Sequence, residues 1–415
     1  AGTGSPLSFG LRTTAGIYSA VATSAANGCT TVMTGTPSLA VNSLPASFTV
    51  TGGGSFCAGG AGSEVALIGS ESGITYQLYN GTSPVASVSG TGAAITFGPQ
   101  FSAGSYSVRA TNTSTSCVNG MAGLATVSIN PLPSVFVATG GGTLCTGGSG
   151  VGITLSGSQT GVNYQLYNGA SPVTGGLVPG SGSAISFGTY ATAGVYSVLA
   201  INPVTSCSNA MAGTPQVIVN PLPVTYTVTG GGSFCAGGAG VAVGLSGSNT
   251  GITYRLYNGS SLVGAAVAGS GGAITFGVQT TAGSYTVRAT DNTTGCVAGM
   301  TGSANVVVNS LPVAFSVTGG GGYCRGGSGM PVGLAWSASG VNYRLYKDGV
   351  AVGGAVAGIN GALNFGTFTS AGVYTVAAVS TAGCAQNMSG AATISINPLP
   401  ADFTVTGTGG YCAGT

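Results

Sequence analysis

The chain has 415 residues, of which 3% are charged, and its formal net charge is +2 with no histidine. So little charge spread over so many residues excludes the basic surface that binds nucleic acid. Without histidine the chain lacks the usual general base and a common zinc ligand. No apolar run approaches the roughly 18 residues of a membrane-spanning helix, so we expect no span in this sequence.

The sequence repeats itself with a period of about 89 residues, which is the size of one small sandwich domain. A Leu-Pro dipeptide marks the period, and its proline stands at Pro45, Pro133, Pro223, Pro312 and Pro400. These prolines delimit a partial repeat at 1–45, four complete repeats at 46–133, 134–223, 224–312 and 313–400, and the start of a further repeat at 401–415. The complete ones are called repeats 1 to 4 below. Because both ends fall inside a repeat, we expect a window from a longer chain.

Alternation of apolar and polar residues predicts seven strands in repeat 1, separated by clusters of Gly, Ser, Asn or Pro. They are Ser47–Thr51, Glu64–Ile68, Ile74–Asn80, Val85–Val88, Ala94–Phe97, Ser105–Thr111 and Ala125–Asn130. No segment has helical periodicity. The sequence therefore predicts an all-β protein of tandem immunoglobulin-like β-sandwich repeats, about seven strands each, arranged as beads on a string.

The sixth predicted strand begins with Ala-Gly-x-Tyr in every repeat. Its tyrosines are Tyr18, Tyr106, Tyr196, Tyr285 and Tyr374. A tyrosine after a glycine turn at this place resembles the tyrosine corner of Greek-key sandwiches. We interpret it as a core aromatic residue with its hydroxyl at the edge. The Asn-Pro-Leu-Pro linker between repeats is stiff, because proline fixes φ and has no N–H to join a sheet.

Each complete repeat holds one early and one late cysteine, which predicts disulfides and an oxidising, extracellular location. Pairing within a repeat is favoured, because both cysteine-bearing connections are long enough to fold along the sandwich. The predicted structural disulfides are Cys57–Cys117, Cys145–Cys207, Cys235–Cys296 and Cys324–Cys384. Two alternatives stay open. An early cysteine could bond the late cysteine of the next repeat, as Cys57 with Cys207, or consecutive cysteines such as Cys117 and Cys145 could pair.

Few residues could carry chemistry. A methionine follows each late cysteine by four residues, which suggests either a thiolate–thioether copper site or a flexible side chain that fills a gap beside the disulfide. We favour the second interpretation, since two soft ligands without imidazole make a poor site. The glycine-rich segment after each early cysteine has no helix to hold phosphate. We therefore predict no catalytic residue, no cofactor and no metal site, and hence no enzyme.

Several motifs together resemble a known group of proteins. They are the Asn-Pro-Leu-Pro linker, Thr-Gly-Gly-Gly before the early cysteine, Ala-Gly-x-Tyr-x-Val in the sixth strand, and Gly-Cys or Ser-Cys after it. In these the chain is similar to the Ig-like or PKD-like repeats of giant cell-surface adhesins of Bacteroidota, including the gliding-motility type. The resemblance implies export by the type IX secretion system and display as surface filaments, with the repeats as spacers.

Two functions follow as expectations. The first is a structural stalk, filament or adhesin shaft at the cell surface, whose partners are copies of itself along or across a filament. The second is a set of multivalent sites for glycans or for the surface of other cells. Tyrosines on the third predicted strand could stack on sugars, and they are Tyr79, Tyr167, Tyr257 and Tyr346.

Overall fold

The computed structural model describes residues 1–409, so Cys412 and the rest of the predicted start of a repeat after residue 409 lie outside it. All regular secondary structure in these residues is β-strand. No helix in the described chain is long and apolar enough to cross a membrane. The partial repeat has four short strands, β1 (Gly16–Ile17), β2 (Val21–Thr23), β3 (Thr30–Val32) and β4 (Ser38–Leu39).

Each complete repeat contributes the same series of nine strands. Repeat 1 has β5 (Val50–Gly52), β6 (Gly54–Cys57), β7 (Ser63–Leu67), β8 (Ile74–Asn80), β9 (Ser83–Ser89), β10 (Ile95–Gln100), β11 (Gly104–Asn112), β12 (Val118–Gly120) and β13 (Ala125–Asn130). Repeat 2 has β14 (Ala138–Gly140), β15 (Gly142–Cys145), β16 (Val151–Leu155), β17 (Asn163–Asn168), β18 (Ser171–Pro179), β19 (Ile185–Tyr190), β20 (Gly194–Ile201), β21 (Ser208–Ala210) and β22 (Gln216–Asn220).

The series continues unchanged in the second half of the chain. Repeat 3 has β23 (Val228–Gly230), β24 (Gly232–Cys235), β25 (Val241–Leu245), β26 (Ile252–Asn258), β27 (Ser261–Ala268), β28 (Ile274–Gln279), β29 (Gly283–Asp291), β30 (Val297–Gly299) and β31 (Ala304–Asn309). Repeat 4 has β32 (Val317–Gly319), β33 (Gly321–Cys324), β34 (Met330–Ser337), β35 (Val341–Lys347), β36 (Val350–Ala357), β37 (Gly361–Phe368), β38 (Gly372–Ser380), β39 (Ala385–Asn387) and β40 (Ala392–Asn397).

Two sheets form each complete repeat. In repeat 1 the smaller sheet has the order β10-β7-β5, and the larger has the order β6-β13-β11-β8-β9, with β12 beside β11. The neighbours are antiparallel except that β6 runs parallel to β13. Repeats 2, 3 and 4 have the equivalent orders. This is the strand arrangement of an immunoglobulin-like sandwich, so the predicted fold class is confirmed.

All seven strands predicted for repeat 1 are present, and their ends differ from the prediction by at most three residues. Two further strands, β6 and β12, lie in segments that the sequence predicts to be connections. Both are short, and the glycine-rich composition around β6 hides it, because glycine is depleted in strands. The strand β6 also pairs with a segment about 70 residues away, which no local pattern reveals.

Three consecutive glycines carry the chain from the smaller sheet to the larger one. Gly52, Gly53 and Gly54 lie between β5 and β6 or at their ends, with φ values of 90°, 78° and 125°. Side chains rarely adopt these values, and a Cβ on Gly53 would collide with the backbone of Thr126. The Thr-Gly-Gly-Gly motif is therefore the crossover between the two sheets.

The core of each repeat lies between the sheets. On β8, Ile74, Tyr76 and Leu78 are buried, whereas the side chains between them are half-buried on the outer face. The Tyr106 hydroxyl donates a hydrogen bond to the carbonyl of Ser102 at 2.8 Å. The equivalent bonds are Tyr18 to Thr14, Tyr196 to Thr192, Tyr285 to Thr281 and Tyr374 to Ser370. The tyrosine-corner prediction is thus confirmed.

One buried serine per repeat joins two segments of the chain at one end of the smaller sheet. In repeat 4, Ser337 is fully buried, and its hydroxyl donates to the carbonyl of Gly361 at 2.7 Å. The same oxygen accepts the N–H of Ile359 at 3.1 Å. The equivalent residues are Ser70, Ser158 and Ser248. Each serine satisfies two backbone groups that would otherwise lie unpaired near the core.

We expect Ser337→Ala to weaken repeat 4 by about 1–3 kcal/mol, because it leaves a carbonyl and an N–H without their partner. Hydrogen exchange of backbone amides in the full chain, followed by mass spectrometry, measures the opening free energy of repeat 4 separately from the other repeats. Ser339→Ala is the control, since the Ser339 side chain is exposed. Equal protection in both variants would contradict this role of Ser337.

Candidate functional site: the disulfides between repeats

The early cysteine stands at the end of its repeat where the chain leaves. Cys57 is the last residue of β6, and the parallel register places it beside Asn130, the last residue of β13. The N–H of Ala58 donates to the carbonyl of Asn130 at 2.9 Å, which extends the pairing by one residue. Asn130 is followed at once by the Pro-Leu-Pro linker. Cys235 beside Asn309 and Cys324 beside Asn397 repeat the arrangement.

The late cysteine stands in the turn between the seventh and eighth strands of its repeat. In repeat 2, the Asn202 side chain accepts the N–H groups of Val204 and Thr205 and so shapes the turn. The N–H of Asn202 donates to the carbonyl of Cys207 at 2.9 Å and closes it. The Cys207 side chain is thereby fixed at the end of the hairpin, where it is fully buried.

The two cysteines of one repeat therefore lie at opposite ends of the sandwich. In repeat 1, β11 begins at Gly104 beside Val127 and ends at Asn112 beside Ile74. Eight residue steps of a strand span about 26 Å. Cys57 lies beyond the first of these ends and Cys117 beyond the second. A disulfide requires Cα atoms only about 5.5 Å apart, so these two cysteines cannot reach each other.

The structure contradicts the favoured pairing within each repeat. The predicted bonds Cys57–Cys117, Cys145–Cys207, Cys235–Cys296 and Cys324–Cys384 are absent. Instead, each early cysteine bonds the late cysteine of the next repeat, which was the open alternative, and pairing of consecutive cysteines is wrong as well. The bonds are Cys57–Cys207, Cys145–Cys296 and Cys235–Cys384, with Cα–Cα distances of 5.5, 5.6 and 5.5 Å.

The reason for the error is the strand β6. The prediction required the connection Gly52–Ser63 to fold along the sandwich and bring Cys57 towards Cys117. That connection instead adds β6 to the larger sheet and carries its cysteine towards the exit of the repeat. Within residues 1–409, the cysteines that remain thiols are Cys29, Cys117 and Cys324.

At the junction of repeats 1 and 2, the linker is held next to the disulfide. Pro133, which ends the linker, is buried, and its carbonyl accepts a hydrogen bond from the Asn209 side chain at 2.8 Å. Asn209 lies two residues after Cys207, in β21. One short hairpin of repeat 2 thus holds both the linker and the disulfide from repeat 1.

The methionines after the late cysteines bond the backbone of their own repeat. The Met211 sulfur accepts the N–H of Phe136 at 3.3 Å, and the Met side chain is buried. Met121, Met300 and Met388 make the same contact with Phe48, Tyr226 and Phe315. The sulfurs of Cys207, Cys296 and Cys384 are oxidised, so they are not available as thiolate ligands. Among residues 1–409, no three His, Cys, Asp or Glu side chains are grouped so as to hold a metal ion.

The tyrosines predicted as sugar platforms are half-buried on the outer face of the larger sheet. In two repeats an arginine already covers the ring. The guanidinium of Arg109 lies 5.3 Å from the ring centre of Tyr79, and that of Arg288 lies 5.1 Å from that of Tyr257. These arginines were not predicted, because only the register between the fourth and seventh strands of a repeat brings them next to the tyrosines.

No protein-family model matches the chain, and no curated protein matches it significantly. Among solved structures, immunoglobulin domains 1–4 of Sidekick-1 match at 12% identity with a TM-score of 0.24, over 86% of this chain and 97% of that one. The ectodomain of mouse nectin-like molecule 4 matches at 13% with a TM-score of 0.29, over 64% and 96%. Three N-terminal domains of the bacteriophage RB49 outer capsid protein Hoc match at 15% with a TM-score of 0.25, over 63% and 99%. These TM-scores are too low to support an argument, so the assignment of the immunoglobulin-like fold rests on the strand pairing alone.

Digestion of the oxidised protein with chymotrypsin, without reduction, is expected to release three cross-linked peptide pairs. They contain Cys57 with Cys207, Cys145 with Cys296, and Cys235 with Cys384. The pairs separate on reduction, which mass spectrometry of the same digest checks. A peptide that joins Cys57 to Cys117, or Cys235 to Cys296, would contradict the pairing described here.

Proposed function

We propose that this chain is the structural repeat region of a long extracellular cell-surface filament, stalk or adhesin shaft. The observation that carries the proposal is that each of the three disulfides within residues 1–409 joins two neighbouring repeats. A disulfide inside a domain stabilises that domain. A disulfide between domains adds a second covalent connection beside the linker, which serves a protein that must keep its domains together.

The three disulfides also overlap along the sequence. The loop closed by Cys57 and Cys207 contains Cys145, and the loop closed by Cys145 and Cys296 contains Cys207 and Cys235. The shortest covalent route through the chain therefore follows residues 1–57, 207–235 and 384–415 and crosses two disulfides. It has about 115 residue steps, whereas the reduced chain has 414. At about 3.5 Å per residue, the oxidised chain extends to at most about 400 Å even if every repeat unfolds, against about 1,400 Å when reduced.

We expect the stretched oxidised chain to reach about 400 Å and the reduced chain about 1,400 Å when it is pulled by its two ends in optical tweezers. The variant Cys57→Ser with Cys207→Ser lengthens the shortest route to about 236 residue steps, so its limit is about 800 Å. The variant Cys145→Ser with Cys296→Ser is the matched control, because the shortest route does not use that bond.

The control variant is expected to keep the limit of about 400 Å. If the fully stretched length is the same with and without reductant, the disulfides do not restrict the extension of the chain. If the control variant also extends to about 800 Å or more, the shortest covalent route does not run through the two disulfides named above.

The disulfides support an extracellular location, because such bonds form and persist in oxidising compartments. The resemblance of the repeats to those of giant Bacteroidota adhesins supports surface display after type IX secretion. The proposal assigns no catalytic activity to these residues. In this proposal, specific adhesion is carried by surfaces other than the residues that all the repeats share.

The proposal includes association between copies of the chain, along or across a filament. With 3% charged residues, electrostatic repulsion between copies is small. Negative-stain imaging of the purified oxidised protein is expected to show filaments or bundles. Isolated particles at every protein concentration would contradict self-association, and the pulling experiment tests the shaft role independently of that result.

A further inference from the structure

Repeat 3 places two arginines directly opposite each other on the outer face of its larger sheet. Arg255 of β26 pairs in register with Arg288 of β29, and both side chains are exposed. Directly opposite residues have Cβ atoms about 5 Å apart, and like charges in this position destabilise a sheet. In a chain with seven Lys and Arg side chains in total, two in this position concentrate positive charge on one surface.

No salt bridge within residues 1–409 compensates this charge, and the four acidic side chains of the complete repeats are engaged elsewhere. In repeat 1, Glu64 accepts a hydrogen bond from the Thr96 hydroxyl at 2.6 Å. Glu71 accepts the N–H of Ala46 at 2.8 Å. Both glutamates therefore serve the fold of repeat 1.

The aspartates of repeats 3 and 4 are engaged in the same way. Backbone N–H groups of Thr294 and Thr293 lower the pKa of Asp291. The N–H of Val373 and the ammonium of Lys347 lower the pKa of Asp348. Within residues 1–409 the one salt bridge is Lys347–Asp348, so no arginine there forms an ion pair with a carboxylate.

Arg288 is held in place, and both arginines are open to solvent. The guanidinium of Arg288 stacks on Tyr257, which fixes its position over the sheet. On the other side of Arg288 the neighbouring residue is Gly299, and nothing lies within 4 Å of the place where its Cβ would be. The same face carries the hydroxyl side chains of Thr286 and Thr290, next to Tyr257 and Thr253 in the register.

These features favour one class of ligand. A nucleic acid needs many phosphate contacts, which two arginines do not supply. A protein partner needs a buried apolar or aromatic centre, whereas this patch consists of arginine, threonine and glycine around a covered tyrosine. A carboxylate or sulfate fits the planar guanidinium donors, and threonine hydroxyls suit the hydroxyls of a sugar.

We infer that the outer face of repeat 3 binds an acidic polysaccharide through Arg255 and Arg288, which contact its carboxylate or sulfate groups. The site does not depend on the shaft role, because it uses neither the disulfides nor the linkers. Tyr257 acts as the support of Arg288 and not as the platform for the sugar ring. The other repeats lack the pair: the opposed residues are Gln77 and Arg109, Gln165 and Leu199, and Arg344 and Ala377.

The repeats themselves provide the matched substitutions. Arg255→Gln with Arg288→Leu gives repeat 3 the outer pair of repeat 2, in which Gln165 donates to the carbonyl of Val173 and the sheet is intact. Arg12→Gln with Arg325→Thr removes the same charge from sites outside the patch. Both double variants are made in the full chain, and hydrogen exchange verifies that repeat 3 stays folded.

Binding is measured by biolayer interferometry at low salt, with polygalacturonate as the carboxylate probe, dextran sulfate as the sulfate probe, and neutral dextran and duplex DNA as controls. Each arginine is expected to contribute about tenfold in affinity, so the patch variant binds its probe about a hundredfold more weakly. The variant with Arg12→Gln and Arg325→Thr keeps its affinity. The probe that binds distinguishes carboxylate from sulfate.

Three outcomes would overturn the inference. They are no binding of either acidic polysaccharide, equal loss in the two double variants, and binding of duplex DNA with the same affinity and the same dependence on Arg255 and Arg288. None of these outcomes changes the extension limit measured by pulling, so a failure of this site and a failure of the shaft role are distinguishable.

Discussion

The parallel pairing of β6 with β13 determines where the early cysteine of the repeat lies. It requires the chain to leave the smaller sheet and enter the larger one within three residues, which the positive φ values of Gly52, Gly53 and Gly54 make possible. The direction of β6 then sets the position of Cys57 at the exit of the repeat. From there the nearest late cysteine belongs to the next repeat, so the path of one short strand decides between an internal disulfide and a connection between domains.

A feature can be predicted from the sequence when the residues that determine it lie close together in the chain. The strand Ile74–Asn80 and the tyrosine corner of Tyr106 follow from residues close together in the chain, and both are present. The strand β6 depends on a partner about 70 residues away, and its glycine-rich sequence resembles a loop. The disulfide partner of Cys57 depends in turn on β6. The opposed pair Arg255 and Arg288 depends on strand register, which alternation alone does not determine.

Each complete repeat has a core of its own. Its core is made by residues such as Tyr254 and Leu256 between its own two sheets, and the buried serines and tyrosine hydroxyls satisfy the backbone nearby. A disulfide that closes about 150 residues would contribute about 5 kcal/mol on the chain-entropy model if those residues were one folding unit. Between domains that fold separately, most of this contribution disappears, because the folded domains already restrict the loop. The bonds therefore restrict the position and the extension of domains more than they stabilise any one of them.

The repeats combine a constant framework with variable outer positions. The crossover glycines, the corner tyrosine, the buried serine and the two cysteines recur at the same places, and each has a role in folding or joining the domains. The opposed outer pair has no such role and differs in every repeat, from Gln165 with Leu199 to Arg255 with Arg288. Because substitutions there leave the core and the junctions untouched, one repeat can acquire a binding surface at little cost in stability. A change at these outer positions therefore alters the surface of one repeat without redesign of its fold.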